Sequence, residues 1–167
     1  MTTVVFNRRT LLAAGGSVLA SGVLAAGVSG LILPARADGL APTDSMSGGA
    51  NNYRKGAPVV ERIGKGGFWM SGTVRRAGDG TPLAGQRIQI WAHTVEGQEH
   101  EPQSHGATLT DKDGKFRLEM PQIIPIFGQP HGHLAYDSGD FKTVFLRPVM
   151  RSAKETSLEA HFVLQPV

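Results

Sequence analysis

From Gly67 onward the chain is a succession of short runs in which apolar and polar residues alternate, each cut off by glycine or proline. Gln86–Ala92 (Gln-Arg-Ile-Gln-Ile-Trp-Ala) and Lys115–Met120 (Lys-Phe-Arg-Leu-Glu-Met) are the clearest. A period of two places one face of a strand on a core and the other toward polar surroundings, and no helix presents that pattern. Phe68–Val74, Ala107–Thr110, His131–Tyr136, Phe141–Leu146 and Leu158–Leu164 are also strand-like, rich in β-branched or aromatic residues. Gly78–Leu83 and Asp111–Gly114 carry turn chemistry. The spacing predicts an all-β fold, a single β-sandwich of about seven strands over residues 66–167. The tight turn at Asp111–Gly114 joins the third and fourth strands, and the pattern predicts that these two form a hairpin. Asp38–Lys65, rich in Gly, Ser, Ala, Asn and Pro, has no sustained periodicity and reads as a flexible linker or an arm lying over the domain.

Residues 1–37 read differently. Arg8 and Arg9 precede an apolar run from Leu11 to Leu33, which ends in Pro34 and then Ala35-Arg36-Ala37. Basic, apolar and small-residue regions in that order make a cleaved signal peptide, and the paired arginines point to the twin-arginine export machinery. The expectation is a periplasmic or secreted protein that begins near Asp38 and has no stable membrane span. The leader also accounts for the net charge. It holds Arg8, Arg9 and Arg36 and no acid, so 14 of the 17 basic residues remain against all 14 acidic ones. No clustered basic face for nucleic acid is expected.

About 130 residues follow the leader, enough for one core. There is no cysteine, so disulfides and thiolate metal sites are excluded and packing must supply the stability. The chain has neither a Gly-x-Ser-x-Gly elbow nor a phosphate-binding loop.

The histidines are clustered. His93, His100 and His105 share one loop with Glu96, Glu99 and Glu101, and His131-Gly132-His133 stands on one strand. Residues i and i+2 of a strand point to one face, so both imidazoles of the pair can reach one ion. Histidine with carboxylate suits iron, copper, zinc or manganese. Asp111-x-Asp113-Gly114 begins like a calcium loop but lacks the later ligands and reads as a turn. Of the two tyrosines, Tyr53 and Tyr136, the latter is expected to pack on its strand, and His161 to be structural.

The order of these motifs resembles the core of the intradiol ring-cleavage dioxygenases over about residues 67–147. It is carried by Ser71-Gly72-Thr73-Val74, Gly80–Gly85, Ile88-Gln89-Ile90-Trp91, Thr110–Phe116 and Pro130-His131-Gly132-His133. The resemblance implies a prealbumin-like β-sandwich and a non-haem iron, ferric in the family, that cleaves catechol-type diols with O2. In that family two histidines and two tyrosines hold the iron. The histidines carry over to His131 and His133, and the first tyrosine position falls on Glu99. Where the second tyrosine is expected the chain has Ile123-Ile124-Pro125, and Gly128-Gln129 stands in place of the arginine before the histidine pair. The implied ligand set is therefore His131, His133 and Glu99, with His100 or His105 as a third nitrogen. Such a set lies nearer to those that hold Fe(II), Cu(II) or Zn(II).

Two functions follow as expectations. The first is a divergent metal-dependent dioxygenase of aromatic diols. The alternative is a non-catalytic exported β-sandwich that binds a protein or carbohydrate-like ligand, with Phe68 and Trp69 as candidate contacts. Either function is compatible with an oligomer.

Overall fold

The computed structural model describes residues 39–167. The leader read over residues 1–37 lies outside the described residues, and among the described ones no helix is long and apolar enough to cross a membrane.

The seven strands are β1 (Phe68–Arg76), β2 (Arg87–Ala92), β3 (His105–Leu109), β4 (Lys115–Met120), β5 (Gly132–Tyr136), β6 (Val144–Leu146) and β7 (Ser157–Leu164). They form two sheets, β4-β1-β7 and β3-β2-β5-β6. The only helical element among the described residues is a single 3-10 turn at Pro102–Ser104. The expected all-β sandwich is what the chain forms. Phe68, Met70 and Val74 of β1 face Ile88 and Ile90 of β2 and Leu134 and Tyr136 of β5 across one core, with Phe116, Leu118 and Phe162. Each such side chain contributes about 1.5–3 kcal/mol on burial.

The expected hairpin is a correction. β3 pairs with β2 in one sheet, whereas β4 pairs with β1 in the other. The turn itself is as read: Asp111 Oδ1 accepts the backbone N–H groups of Asp113 (2.9 Å) and Lys115 (2.8 Å), and Gly114 has φ +71°. Just before it, Thr110 Oγ1 donates to the carbonyl of Leu83 and accepts from the N–H of Gln86. These bonds tie the end of β3 to the turn before β2, and the Gly114 carbonyl accepts the N–H of Val74 in β1. The chain therefore crosses between sheets at a corner. A period-two strand buries its apolar face equally well in either sheet, so alternation does not choose the partner.

Residues 39–65 lie across the sandwich. Leu40 pairs with Gly78, Thr43 bonds to Val163, Met46 to Phe145, Val60 to Ala107 and Ile63 to Glu119. The segment thus passes both edges of the four-stranded sheet, β6 and β3, and covers the outer face between them. Covered edges do not offer unpaired backbone groups to other chains.

Candidate metal centre

The parity of β2 and β5 places the site. Ile88, Ile90, Leu134 and Tyr136 point into the core. Their neighbours Arg87, Gln89, Trp91, His131, His133, Ala135 and Asp137 point to the outer face, toward the arm. Trp91 pairs with His105 on one side and His133 on the other. Leu134 pairs with Leu146 and His131 with Val149, so Arg147 stands opposite His133 one strand further on. The row His105, Trp91, His133, Arg147 thus crosses all four strands. Trp91 is stacked between two imidazoles, with ring centroids 5.5 Å from His105 and 5.2 Å from His133 and planes within 10°.

The arm satisfies this row. Gly49 C=O accepts Nδ1–H of His133 (3.1 Å), Asn51 C=O accepts Nε1–H of Trp91 (2.9 Å), and Arg54 C=O accepts Nε2–H of Gln89 (2.8 Å). Gly49 has no room for a side chain: a Cβ would lie 2.8 Å from the carbonyl oxygen of Phe145. Asn52 adopts φ +57°, a left-handed conformation that asparagine tolerates, and its amide donates to Glu99 Oε1 at 2.7 Å.

Glu99, His131 and His133 form one group whose ligand atoms all lie within 4.8 Å of one another. Glu99 Oε2 is 3.4 Å from His133 Nε2 and 3.7 Å from His131 Nε2. Nδ1–H of His131 donates to Gln129 C=O (2.9 Å), and that of His133 to Gly49 C=O, which leaves an Nε2 lone pair on each ring. Carbonyl partners of this kind orient histidine ligands in metal sites. Burial lowers the pKa of His133 below the ordinary histidine value, which favours the neutral ring. The group is closed: His133 is fully buried and His131 6% exposed.

Among the described residues, the buried side-chain polar atoms without a partner are His93 Nδ1, Glu99 Oε2, His133 Nε2, Arg147 Nε and Tyr136 Oη. Glu99 and His133 belong to the group, and Arg147 stands beside it. His93 follows Trp91 by two residues at the end of β2, in line with the same face. Native interiors leave few such atoms unpaired, and their concentration at one place points to a missing ligand.

The sequence nominated five ligands, and the structure brings three of them together. His100 is exposed. His105 is spent on structure: its Nε2–H donates to the backbone carbonyl of Glu99 (2.8 Å) and its Nδ1 faces Gln89 Nε2 at 3.5 Å. It sits across Trp91 from His133 and steadies the loop that delivers Glu99. Asn52, Gly49 and Arg147 were not nominated. The first two lie in a stretch without periodicity, and Arg147 is identified by register alone.

Neither tyrosine is offered to the group. Tyr136 points into the core, where its ring meets Phe141. The Tyr53 hydroxyl bonds to Asp137, and burial, followed by that carboxylate, pushes its pKa up to about 12. Burial also raises Tyr136. Spectrophotometric titration of the folded protein is therefore expected to show little phenolate at pH 10, where both ionise once unfolded. For Tyr53 the folded value lies above the unfolded one. Its contribution to stability is full below pH 10 and is lost as the pH rises through about 12.

A group of two imidazole nitrogens and a carboxylate oxygen fits a divalent ion. Bonds of about 2.0–2.2 Å require donor atoms roughly 3–3.5 Å apart, close to the 3.4 and 3.7 Å found here. It does not fit a ferric ion held by two phenolates.

No protein-family model matches the chain, and no curated protein matches it. Solved structures do. Hydroxyquinol 1,2-dioxygenase from Pseudomonas putida matches 77% of this chain and 68% of its own at 13% identity and a TM-score of 0.58. 3-Chlorocatechol 1,2-dioxygenase from Rhodococcus opacus matches 78% and 74% at 16% identity and a TM-score of 0.56. The dioxygenase domain of a dioxygenase carbohydrate-binding protein fusion from a Streptomyces species matches 76% and 99% at 15% identity and a TM-score of 0.57. In fold, the chain is similar to the intradiol catechol and hydroxyquinol 1,2-dioxygenases.

Proposed function

We propose that the protein is a metal-dependent, dioxygenase-like protein acting on aromatic diols with O2, exported by the twin-arginine route to the periplasm or beyond. The observation that carries this reading is the set of unpaired buried atoms around Glu99, His131 and His133 in a dioxygenase-like fold. Those three residues would hold the ion. Two histidines and one carboxylate suit a non-haem ferrous ion, and copper or zinc fits the same donors. When bound, the ion would take the diol oxygens and polarise the ring toward O2. The chain's own residues do the rest. Gly49 and Gln129 fix the tautomers, Asn52 aims Glu99, and Trp91 and the arm exclude water. Proteins exported by this route leave the cytoplasm folded, which suits a cofactor loaded beforehand.

The test is metal analysis and oxygen uptake on protein purified from the periplasm. About one iron, copper or zinc per chain is expected, with its loss in His131→Ala/His133→Ala, and oxygen consumption with catechol. Protein that stays metal-free after loading with all three would refute the reading.

A second reading has its own observation. The outer face of the β4-β1-β7 sheet carries a groove of about 620 Å³ lined by Trp69, Ser71, Thr73, Lys115, Arg117, Glu159 and His161, among others. Trp69 is half-buried, with the Arg117 guanidinium 3.7 Å from its ring centre. An aromatic ring among hydroxyls and charges suits a carbohydrate-like or protein ligand. Phe68, the other sequence candidate, is fully buried in the core. On this reading no stoichiometric metal is found.

A further inference from the structure

The group of Glu99, His131 and His133 is closed beneath the arm, yet a stack of aromatic rings leads out from it. Trp91 lies flat on His133, with centroids 5.2 Å apart and planes 9° from parallel. Tyr53 of the arm comes next: its ring is 5.9 Å from Trp91 and meets Phe145 edge-on at 5.0 Å. The Tyr53 hydroxyl donates to one oxygen of Asp137, and the other oxygen pairs with Arg87 at 3.4 Å. A closed group admits no large reactant, but an electron needs no opening. It passes between rings in contact, and the spacings here are those of packed aromatic pairs. In a chain without cysteine, indole and phenol are also the side chains that give up one electron most readily.

The two rings differ in what receives their polar hydrogens. Trp91 Nε1–H donates to the Asn51 carbonyl at 2.9 Å, and a carbonyl is no base. An oxidised Trp91 therefore keeps its proton and is refilled by a neighbouring ring. Burial, and then Asp137, hold the pKa of Tyr53 at about 12, so at neutral pH it is a phenol and must release a proton as it is oxidised. Asp137 already accepts that hydrogen and can take the proton without a change of partner. An electron vacancy that starts at the group thus moves through Trp91 and comes to rest on Tyr53, away from the histidines.

We propose that Tyr53 and Trp91 relay an electron to the metal group, and so spare its histidines from oxidation when hydrogen peroxide reaches the ion. This rests on the reading of Glu99, His131 and His133 as a metal centre. The O–O bond of the peroxide breaks, and two electrons with two solvent protons convert it to two waters. One electron leaves a ferrous ion, which becomes ferric. The other leaves Tyr53 by way of Trp91 and His133, while the Tyr53 O–H bond breaks and its proton goes to Asp137. A neutral tyrosyl radical remains. The test mixes iron(II)-loaded protein with hydrogen peroxide, freezes it rapidly and records electron paramagnetic resonance. A tyrosyl radical is expected, its signal narrowed by ring-deuterated tyrosine. Tyr53→Phe, which keeps the ring, is expected to lose the signal at unchanged iron content, with more oxidised His131 and His133 found by mass spectrometry. Tyr136→Phe is expected to keep it, since Tyr136 packs on Phe141 in the core. Asp137→Asn keeps an acceptor but offers no base and is expected to lose it, whereas Asp137→Glu retains part. No radical in the wild type, or one that survives Tyr53→Phe or Asp137→Asn or is lost in Tyr136→Phe, overturns the proposal. Protein that takes up no iron removes the metal reading instead. The relay is then tested in metal-free Trp69→Phe protein, where Trp91 is the only indole. Photo-oxidation of that indole is expected to yield a tyrosyl radical that Tyr53→Phe abolishes, and its absence overturns the relay.

Discussion

Glu99→Gln is expected to reduce bound metal from about one per chain to near zero at equimolar loading, while the metal-free protein becomes more stable. The two effects have one cause. Glu99 Oε2 faces the Nε2 atoms of His133 and His131 at 3.4 and 3.7 Å, and all three present lone pairs. Without a cation the arrangement is unfavourable, since a buried acceptor without a partner costs about 1–3 kcal/mol. Glutamine keeps the shape and can still accept from Asn52 through its oxygen. It turns an N–H toward His133 Nε2, which supplies the missing donor. The metal-free variant is expected to gain about 1 kcal/mol or more, a rise of roughly 3 °C in melting temperature for a domain of this size. The metal-loaded wild type gains more from its ligand, because stabilisation grows with metal concentration over the dissociation constant. Calorimetry of both proteins, with and without metal, separates the terms. A less stable metal-free Glu99→Gln would mean that the carboxylate is a structural group.

Gly72→Ala is expected to prevent folding or to cost about 4 kcal/mol or more, a large share of the 5–15 kcal/mol of a typical domain. Gly72 lies in the centre of β1, opposite Ala160 in the parallel β1–β7 pair and Phe116 in the antiparallel β1–β4 pair. A Cβ there would lie 1.6 Å from the carbonyl oxygen of Ala160 and 2.7 Å from Phe116 Cζ. The obstacle is backbone, so no rotamer change relieves it. Chemical denaturation is the measurement, with Ser71→Ala as the control. Ser71 faces the groove side of the same strand and is expected to change stability by less than about 0.5 kcal/mol. A Gly72→Ala protein of near wild-type stability would show that β1 and β7 are not paired in this register.

Much of the architecture was legible before the structure. Each of the seven strands overlaps the run that predicted it, because burial on one face of a pleated strand imposes a period that any sequence must carry, although β3 starts at His105, inside the stretch read as loop, and β6 is confined to Val144–Leu146. His131 and His133 were legible for the same reason: a spacing of two on a strand is a statement about one face. Glu99 was legible only through its position in the motif order, since nothing in the polar loop from His93 to Gly106 ranks one carboxylate above another.

The arm was not legible as part of the site. Gly49, Asn51 and Asn52 bond to His133, Trp91 and Glu99 at sequence separations of 84, 40 and 47 residues, through carbonyls and one amide. Bonds of that kind impose no period, so the stretch reads equally as a linker or as an arm over the domain, and nothing in it marks the residues that reach the site. Arg147 was hidden in the same way, because its place opposite His133 depends on how β6 aligns with β5.

The sequence by itself determined which residues alternate, where the chain turns and that two histidines share a face, because these follow from backbone period and turn chemistry over a few residues. Only the tertiary structure decided that β3 and β4 part to different sheets, that Glu99 rather than His100 or His105 completes the histidine pair, and that Arg147 stands beside it. Those choices depend on strand partners and register, which are settled by packing across the whole sandwich.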